Sequence, residues 1–164
     1  MEGAVTLSFE DSYVGQLRKL VGNRMLLTPG ARAVLRDGQG NTLFIRRSDN
    51  NQWALPAGLM ELGETVYDGM CREVKEETGL DVLAGTLVSI YSGPRFMHTN
   101  QFGSQHQHLV FQFRVDDWAG DLVTETDETV DAGFFSEQQL PEAYRQYEEA
   151  FEDLSTFNGS VALK

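Results

Sequence analysis

The chain has 164 residues, of which 41% are hydrophobic, and a formal net charge of −12 at pH 7, which together indicate one globular domain with a core of its own. Its single cysteine excludes an internal disulfide, and its acidic charge argues against a nucleic-acid polymer as partner, because phosphate backbones are held by clustered Lys and Arg. Since no apolar run approaches the roughly 20 residues that span a bilayer, and the N-terminal sequence lacks a signal-peptide pattern, we expect a cytoplasmic protein without a membrane partner.

The N-terminal part of the chain predicts a helix followed by two strands. Residues 10–21 place apolar side chains at helical spacing, which indicates a short amphipathic helix. Residues 31–36 and 42–47 are typical of strands, and the Asp-Gly-Gln-Gly sequence between them predicts a turn. We assign residues 1–28 to an N-terminal helical extension and residues 29–164 to one domain that includes a C-terminal helix.

A second helix is predicted from Thr65 to about Thr78. Thr65 and Asp68 have the spacing of a capping pair, in which each side chain bonds the backbone N–H of the other residue. Gly79 is placed to end the helix, because glycine readily adopts the left-handed conformation that closes many helices.

The remaining chain predicts strands and a closing helix. Strands are expected at residues 82–91 and 108–115, the second because Phe and Val alternate with polar residues, and a short strand is expected at residues 134–135. Residues 137–154 are expected to form the closing helix, with Pro141 near its start. Strands interleaved with two or three helices indicate a layered α/β or α+β domain.

Three glutamates on the second helix form a candidate functional cluster. Glu73, Glu76 and Glu77 lie at i, i+3 and i+4, so their carboxylates share one face of the helix. Like charges at this spacing repel each other, whereas Mg²⁺ takes oxygen ligands and shares them with substrate phosphates. The cluster therefore indicates a site for one or more Mg²⁺ ions. The alternative is a solvated acidic face on which Arg72 only pairs with a neighbouring glutamate.

A metal ion on this face favours hydrolysis of a phosphoric anhydride. It neutralises phosphate charge, orients the phosphates and lowers the pKa of a bound water, while a nearby carboxylate accepts a proton. No Ser, Cys or His nucleophile is required. We therefore predict direct attack of water on phosphorus.

The segment from Gly58 to Leu80 carries these glutamates in a specific spacing. It reads GLMELGETVYDGMCREVKEETGL and resembles the Nudix hydrolase box, G-x5-E-x7-R-E-U-x-E-E-x-G-U, where U is a bulky aliphatic residue. Every specified position is matched, by Gly58, Glu64, Arg72, Glu73, Val74, Glu76, Glu77, Gly79 and Leu80. The residues just before the box depart from the family's common Leu-Pro-Gly-Gly, because Ala57 stands at the first glycine. The resemblance implies an α/β fold, the family's α/β/α sandwich with a central mixed β-sheet.

The resemblance also implies roles for individual residues. The implied metal ligands are the carbonyl of Gly58 and the carboxylates of Glu73, Glu76 and Glu77, with Mg²⁺ as the cofactor and Mn²⁺ as an alternative ion. Glu73 and Glu76 are also implied as catalytic carboxylates, which Arg72 orients.

Family members often recruit a further acidic residue from a loop beyond the box. Glu128 is the candidate for this catalytic position, because it lies shortly before the short strand at residues 134–135. Asp127 and Glu125 are the alternatives, and an ordinary acidic surface loop is the alternative to all three.

Substrate binding is expected to involve arginines outside the box. Arg46 and Arg47 alternate on a strand, so they should point to opposite faces, and one of them is expected to contact a substrate phosphate. Arg95 lies in a segment typical of a loop, residues 92–108, and is a further candidate for a phosphate contact. Pro94 lies fourteen residues beyond the box, near the proline that some ADP-ribose-cleaving family members carry about sixteen residues beyond it.

Three histidines lie in the same segment. His106 and His108 are two residues apart and would face the same side of a strand, with His98 nearby. A transition-metal site is one interpretation. Hydrogen-bonding histidines at the surface or in a pocket are the interpretation that we favour.

Together these features predict a Mg²⁺-dependent Nudix pyrophosphohydrolase that acts on a small-molecule nucleotide. The preferred substrate is a nucleoside diphosphate linked to another moiety, such as ADP-ribose or a nucleotide sugar. A (d)NTP or oxidised-nucleotide pyrophosphohydrolase is one alternative, and a non-catalytic ligand sensor of the same fold is the other. The resemblance also raises a homodimer contact through the helix at residues 10–21, as an alternative to packing of that helix on its own domain.

Overall fold

The computed structural model describes residues 8–164, and within that range the chain forms nine β-strands and three α-helices. The strands are Leu26–Val34 (β1), Thr42–Arg47 (β2), Trp53–Ala54 (β3), Ala57–Leu59 (β4), Asp81–Tyr91 (β5), Met97–Thr99 (β6), Gln105–Ala119 (β7), Thr129–Phe135 (β8) and Ala162–Leu163 (β9). The α-helices are Tyr13–Val21 (α1), Val66–Thr78 (α2) and Glu148–Thr156 (α3). None of the helices in this range is long and apolar enough to cross a membrane.

The strands form two sheets, the larger of which is mixed. Its order is β4-β1-β7-β5-β9, with β6 also paired to β7. β1 and β7 run parallel, whereas β7 pairs antiparallel with both β5 and β6. The smaller sheet is antiparallel, in the order β3-β2-β8. The predicted α/β fold with a central mixed sheet is confirmed.

The two largest clusters of buried hydrophobic residues lie on opposite faces of the larger sheet. Ala31 of β1 is buried with Val74 of α2 in one core. Because side chains alternate along a strand, Val34 points to the opposite face, where it packs with Phe151 of α3. The larger sheet is therefore enclosed between α2 and α3.

α2 begins and ends where its sequence predicts. The side-chain oxygen of Thr65 accepts the N–H of Asp68 at 3.1 Å, and the Asp68 carboxylate accepts the N–H of Thr65 at 3.3 Å. Gly79 adopts a φ of 74° and donates its N–H to the carbonyl of Lys75 at 2.9 Å. These two caps fix the ends of the helix, and with them the direction in which its glutamates point.

The closing helix predicted at residues 137–154 is wrong over its first half. Two 3₁₀ segments, Glu137–Gln139 and Glu142–Tyr147, precede α3. Pro141 separates them, because it lacks an N–H and disfavours the α conformation in the residue before it. That residue, Leu140, is accordingly extended, with a φ of −59° and a ψ of 139°.

α1 lies within the helix predicted at residues 10–21 and packs on its own domain. Val14 is buried, whereas Leu20 on the outer side is 83% exposed. A homodimer contact through this helix stays a prediction. β1 begins at Leu26, so it runs across the boundary predicted at residue 28. The division of the chain there also stays a prediction, and the first seven residues of the predicted extension lie outside the described range.

Three stacked histidines lie where α1 meets the larger sheet. The ring centroid of His98 is 5.4 Å from that of His106 and 4.7 Å from that of His108. Arg18 of α1 donates to the carbonyl of Gln105 at 2.6 Å and lies 3.1 Å from Nε2 of His106. Burial lowers the pKa of His106 to about 4, and the neighbouring Arg18 charge acts in the same direction. Burial also lowers the pKa of His108 to about 4.

We expect these histidines to make the fold sensitive to acid. The ordinary pKa of histidine is 6.5 and the folded values are about 4, so the unfolded chain binds more protons between these two values. The contribution of both rings to the free energy of unfolding should therefore be complete above pH 6.5 and be lost as the pH falls toward 4. Replacing both (His106→Asn with His108→Asn) should reduce this loss, by at most about 1.4 kcal/mol per pH unit for each ring.

Urea unfolding of the wild type and of the double variant between pH 7 and pH 5 measures this difference. Identical dependence of the free energy of unfolding on pH in the two proteins would contradict the expectation.

Candidate active site

A glycine at the edge of the larger sheet lies against a glutamate of α2. Gly58 is in β4, where it pairs with Ala31 of β1. A Cβ on Gly58 would lie 2.0 Å from Cδ of Glu73 and 2.1 Å from each of its carboxylate oxygens. Gly58 has no positive φ. Glycine is therefore required here by the close approach of the carboxylate rather than by the backbone conformation.

Arg72 connects three glutamates of the predicted box. Its Nη1 donates to Glu73 at 2.8 Å and to Glu76 at 3.0 Å. Its Nε and Nη2 both donate to the carboxylate of Glu64, and Nη2 also donates to the carbonyl of Leu59 at 3.0 Å. One guanidinium thus fixes Glu73 and Glu76 relative to the loop that precedes α2.

Glu77 is buried on the same side of α2. It is 1% exposed, and its Oε2 accepts the N–H of Ala57 at 2.9 Å. Burial raises the pKa of Glu77 well above its usual range; the charge of Glu73 raises it further, and the charge of Arg47 opposes the shift. Because any residue except proline supplies a backbone N–H, Ala57 makes this bond as well as the family's common glycine would.

Glu128 completes a group of three facing carboxylates. One oxygen from each of Glu73, Glu77 and Glu128 lies within 4.8 Å of the others, and we call this group the carboxylate site. In the described part of the chain, no other three His, Cys, Asp or Glu side chains meet this criterion. Asp127 and Glu125 therefore belong to no such group, and neither do the three stacked histidines.

The carboxylate site fits a divalent cation. Glu73 is 7% exposed and Glu77 1% exposed. Burial raises the pKa of Glu73 to about 7, although Arg72 acts in the opposite direction. Facing negative charges with so little water around them are costly unless protons or a cation neutralise them. Carboxylate oxygens are the ligands that Mg²⁺ and Mn²⁺ prefer.

Two predicted metal ligands, Glu76 and the Gly58 carbonyl, are not part of the carboxylate site. Glu76 is held by Arg72, and it is not a member of the carboxylate site. Burial also raises its pKa. The carbonyl oxygen of Gly58 lies over β1, 2.8 Å from where a Cβ of Gly30 would be. Metal ligation by either group stays a prediction.

Arg46 and Arg47 occupy different surroundings, as alternation along a strand predicts. Arg47 pairs with Asp49 at 3.0 Å, and its charge lowers the pKa of Glu77. Arg46 instead lies 3.7 Å from the carboxylate of Asp131. The charge of Arg47 therefore acts on the carboxylate site.

Two further arginines lie on the other side of the larger sheet from α2. Arg95 pairs with Glu149 of α3 at 3.0 Å. Arg32 was not predicted as a site residue, and its guanidinium carbon lies 5.1 Å from the ring centroid of Tyr91 and 5.2 Å from that of Tyr147. The signal that pointed to it is an arginine among the apolar residues of a predicted strand.

Known proteins resemble this chain in sequence and in fold. The model of the family described as NUDIX domain matches residues 26–154. An ADP-ribose pyrophosphatase from Methanocaldococcus jannaschii is 32% identical over 143 residues, which cover 83% of this chain and 79% of that protein. A MutT-like protein from Streptomyces ambofaciens is 48% identical over 79 residues, and the match spans 48% of this chain and 51% of that protein, about half of each. The crystal structure of an ADP-ribose pyrophosphatase from Streptococcus suis has a TM-score of 0.60 and 25% identity, and the match covers 84% of this chain and 98% of that one.

We expect Gly58→Ala to weaken the binding of a divalent cation. The added methyl group would lie 2.0 Å from Cδ of Glu73, so the carboxylate or β4 must move. We expect the Mn²⁺ affinity to fall by about tenfold or more, as when the groups that orient metal ligands are lost. Titration calorimetry with Mn²⁺ measures this change.

Gly38→Ala is the matched control for this substitution. A Cβ on Gly38 would meet nothing within 4 Å, and Gly38 has no positive φ. This control should bind Mn²⁺ as the wild type does. Wild-type affinity in Gly58→Ala would contradict the requirement for glycine beside the carboxylate of Glu73.

Proposed function

The chain belongs to the Nudix family, and from that we propose that it is a Mg²⁺-dependent pyrophosphohydrolase of nucleoside diphosphates linked to another moiety, with ADP-ribose or a nucleotide sugar as substrate. The observation that carries this proposal is the carboxylate site of Glu73, Glu77 and Glu128. A ligand sensor without catalysis has no need of this group, so its completeness supports an enzyme.

The residues of the carboxylate site would hold the cation, with Mn²⁺ as the alternative to Mg²⁺. The cation supplies positive charge that neutralises the substrate phosphates and makes water easier to deprotonate. Because the cation lies between the carboxylates and the phosphates, a chain with a net charge of −12 can bind an anionic substrate.

Water attacks phosphorus, and Glu76 accepts the proton that this water gives up. The new P–O bond forms as the anhydride P–O bond breaks, which releases a nucleoside monophosphate and the phosphorylated remainder. Burial raises the pKa of Glu76, and a carboxylate with a raised pKa is a better base near neutral pH. Arg72 positions Glu76 and Glu73 through the hydrogen bonds of its Nη1.

Arg47, Arg46 and Arg95 serve as substrate contacts in this proposal. We assign Arg47 to the phosphate nearest the carboxylate site, because its charge lowers the pKa of Glu77. The side chains of Arg46 and Arg95 are 36% and 51% exposed. Surface ion pairs are weak, so a phosphate can compete with their present carboxylate partners.

The choice of substrate is supported by the relatives. The Methanocaldococcus jannaschii protein and the Streptococcus suis structure are both ADP-ribose pyrophosphatases. The (d)NTPs, including oxidised ones, are the alternative, because the box performs the same chemistry on either class of nucleotide.

A substrate panel tests this proposal. We expect purified protein with Mg²⁺ to convert ADP-ribose or a nucleotide sugar to a nucleoside monophosphate and a phosphorylated sugar, identified by chromatography. In ¹⁸O-labelled water the label should appear on a phosphate product. Release of pyrophosphate from a (d)NTP at a much higher kcat/KM would favour the alternative substrate class, and no turnover of any nucleotide would favour the non-catalytic sensor.

Glu76→Gln is expected to abolish most of the turnover while the fold survives. The amide cannot accept the proton, and loss of a general base lowers kcat by about 10²-fold to 10⁴-fold. Steady-state kinetics and thermal unfolding measure the two effects separately. Glu125→Gln, in the loop that holds Glu128, is the control and should keep its activity, because Glu125 is exposed and lies outside the carboxylate site. Near-normal turnover in Glu76→Gln would contradict the assigned role.

A further inference from the structure

We infer that Arg32 binds a phosphate of the substrate from the face of the larger sheet opposite to α2, an inference that rests on the proposed function. Arg32 lies on β1, and its register partner on β4 is Ala57. The N–H of Ala57 holds the carboxylate of Glu77. Arg32 is therefore one strand away from the carboxylate site, although it was not predicted to belong to it.

Tyr147 connects Arg32 with that site. The guanidinium carbon of Arg32 lies 5.2 Å from the ring centroid of Tyr147. Burial raises the pKa of the Tyr147 phenol, the charges of Arg32 and Arg47 lower it, and the charge of Glu77 raises it. Tyr147 thus contacts Arg32 directly, and its phenol responds to the charges of Arg47 and Glu77.

The guanidinium of Arg32 is held in a fixed orientation. The rings of Tyr91 and Tyr147 cover it, at 5.1 and 5.2 Å from its carbon. Its Nε donates to Oε1 of Gln112 at 2.9 Å. Gln112 is fully buried and in turn donates to the carbonyl of Ala150 at 2.9 Å. A binding group held in this way loses little freedom when a ligand arrives.

Arg32 has no carboxylate partner of its own among the described residues. Its N–H donors are matched there only by Gln112 and by a hydrogen bond with Tyr91. The carboxylate whose charge acts on it, Glu149, is already paired with Arg95 at 3.0 Å and with Lys164 at 3.4 Å.

The surroundings of this cation disfavour its charge. Burial lowers the pKa of Arg32, although the guanidinium stays protonated at neutral pH. A half-buried cation that has unused N–H donors and no paired carboxylate among the described residues is complementary to an anion. Because the tyrosine rings cover the guanidinium and Nε is already bonded, the Nη atoms carry the donors that remain. An edge of this kind binds two phosphate oxygens at once.

The kinetics of Arg32→Gln test this inference. We expect KM to rise by about tenfold or more, the usual size of a lost charged hydrogen bond, while kcat stays within about threefold. The unfolding temperature should fall only slightly, because the loss of a buried cation offsets part of the cost of leaving Oε1 of Gln112 without its donor. Arg32→Lys keeps the charge without the fork and should give an intermediate KM.

Arg114→Gln is the matched control, since Arg114 lies on neighbouring β7 and is paired with Asp116. It should keep the wild-type KM. A wild-type KM in Arg32→Gln would overturn the inference, and so would a fall in unfolding temperature without a change in KM, which indicates a purely structural role.

A binding assay separates this inference from the proposed function. ADP, inorganic pyrophosphate and adenosine are added with Ca²⁺ in place of Mg²⁺, and thermal unfolding is followed. We expect ADP and pyrophosphate to stabilise the wild type and Arg114→Gln, and to stabilise Arg32→Gln much less. This result supports the phosphate contact even if the wild type hydrolyses nothing in the substrate panel, an outcome that would defeat the proposed function alone. Equal stabilisation of all three proteins, stabilisation by adenosine alone, or no stabilisation of the wild type would overturn the inference.

Discussion

The carboxylate site concentrates negative charge at a place where two of its three side chains are buried from water. Glu73 and Glu77 are buried beside each other, and Glu128 faces both. In a low-dielectric setting this arrangement opposes folding unless protons or a cation neutralise the charges. The surrounding elements must therefore hold each carboxylate in place. For Glu73, Gly58 leaves the space that the carboxylate occupies, and the guanidinium of Arg72 donates a hydrogen bond to it.

The two faces of β1 have different roles, one in packing and one in the proposed binding of substrate. Ala31 packs into the core under α2 and keeps that helix against the sheet. Arg32, the next residue, points to the opposite face, toward Tyr147 and α3. One strand thus supports the carboxylates on one side and presents an unmatched cation on the other.

Features set by neighbouring residues could be predicted from the sequence, and features set by distant partners could not. The capping pair of Thr65 and Asp68 determines the start of α2 locally, and that start is confirmed. Pro141 acts locally too, but its effect was underestimated, and the chain before α3 forms 3₁₀ turns. Arg32 escaped prediction because its partners come from β5, β7 and the 3₁₀ segment that carries Tyr147. Which acidic side chain of the loop before β8 faces α2 depends on how that loop packs, which periodicity does not encode.

Glu73, Glu77 and Glu128 are proposed to hold a divalent cation together. Anomalous diffraction from crystals soaked in Mn²⁺ can locate such an ion. We expect an anomalous peak about 2–2.5 Å from a carboxylate oxygen of each of the three residues. A peak at another position, or no peak at saturating Mn²⁺, would contradict it.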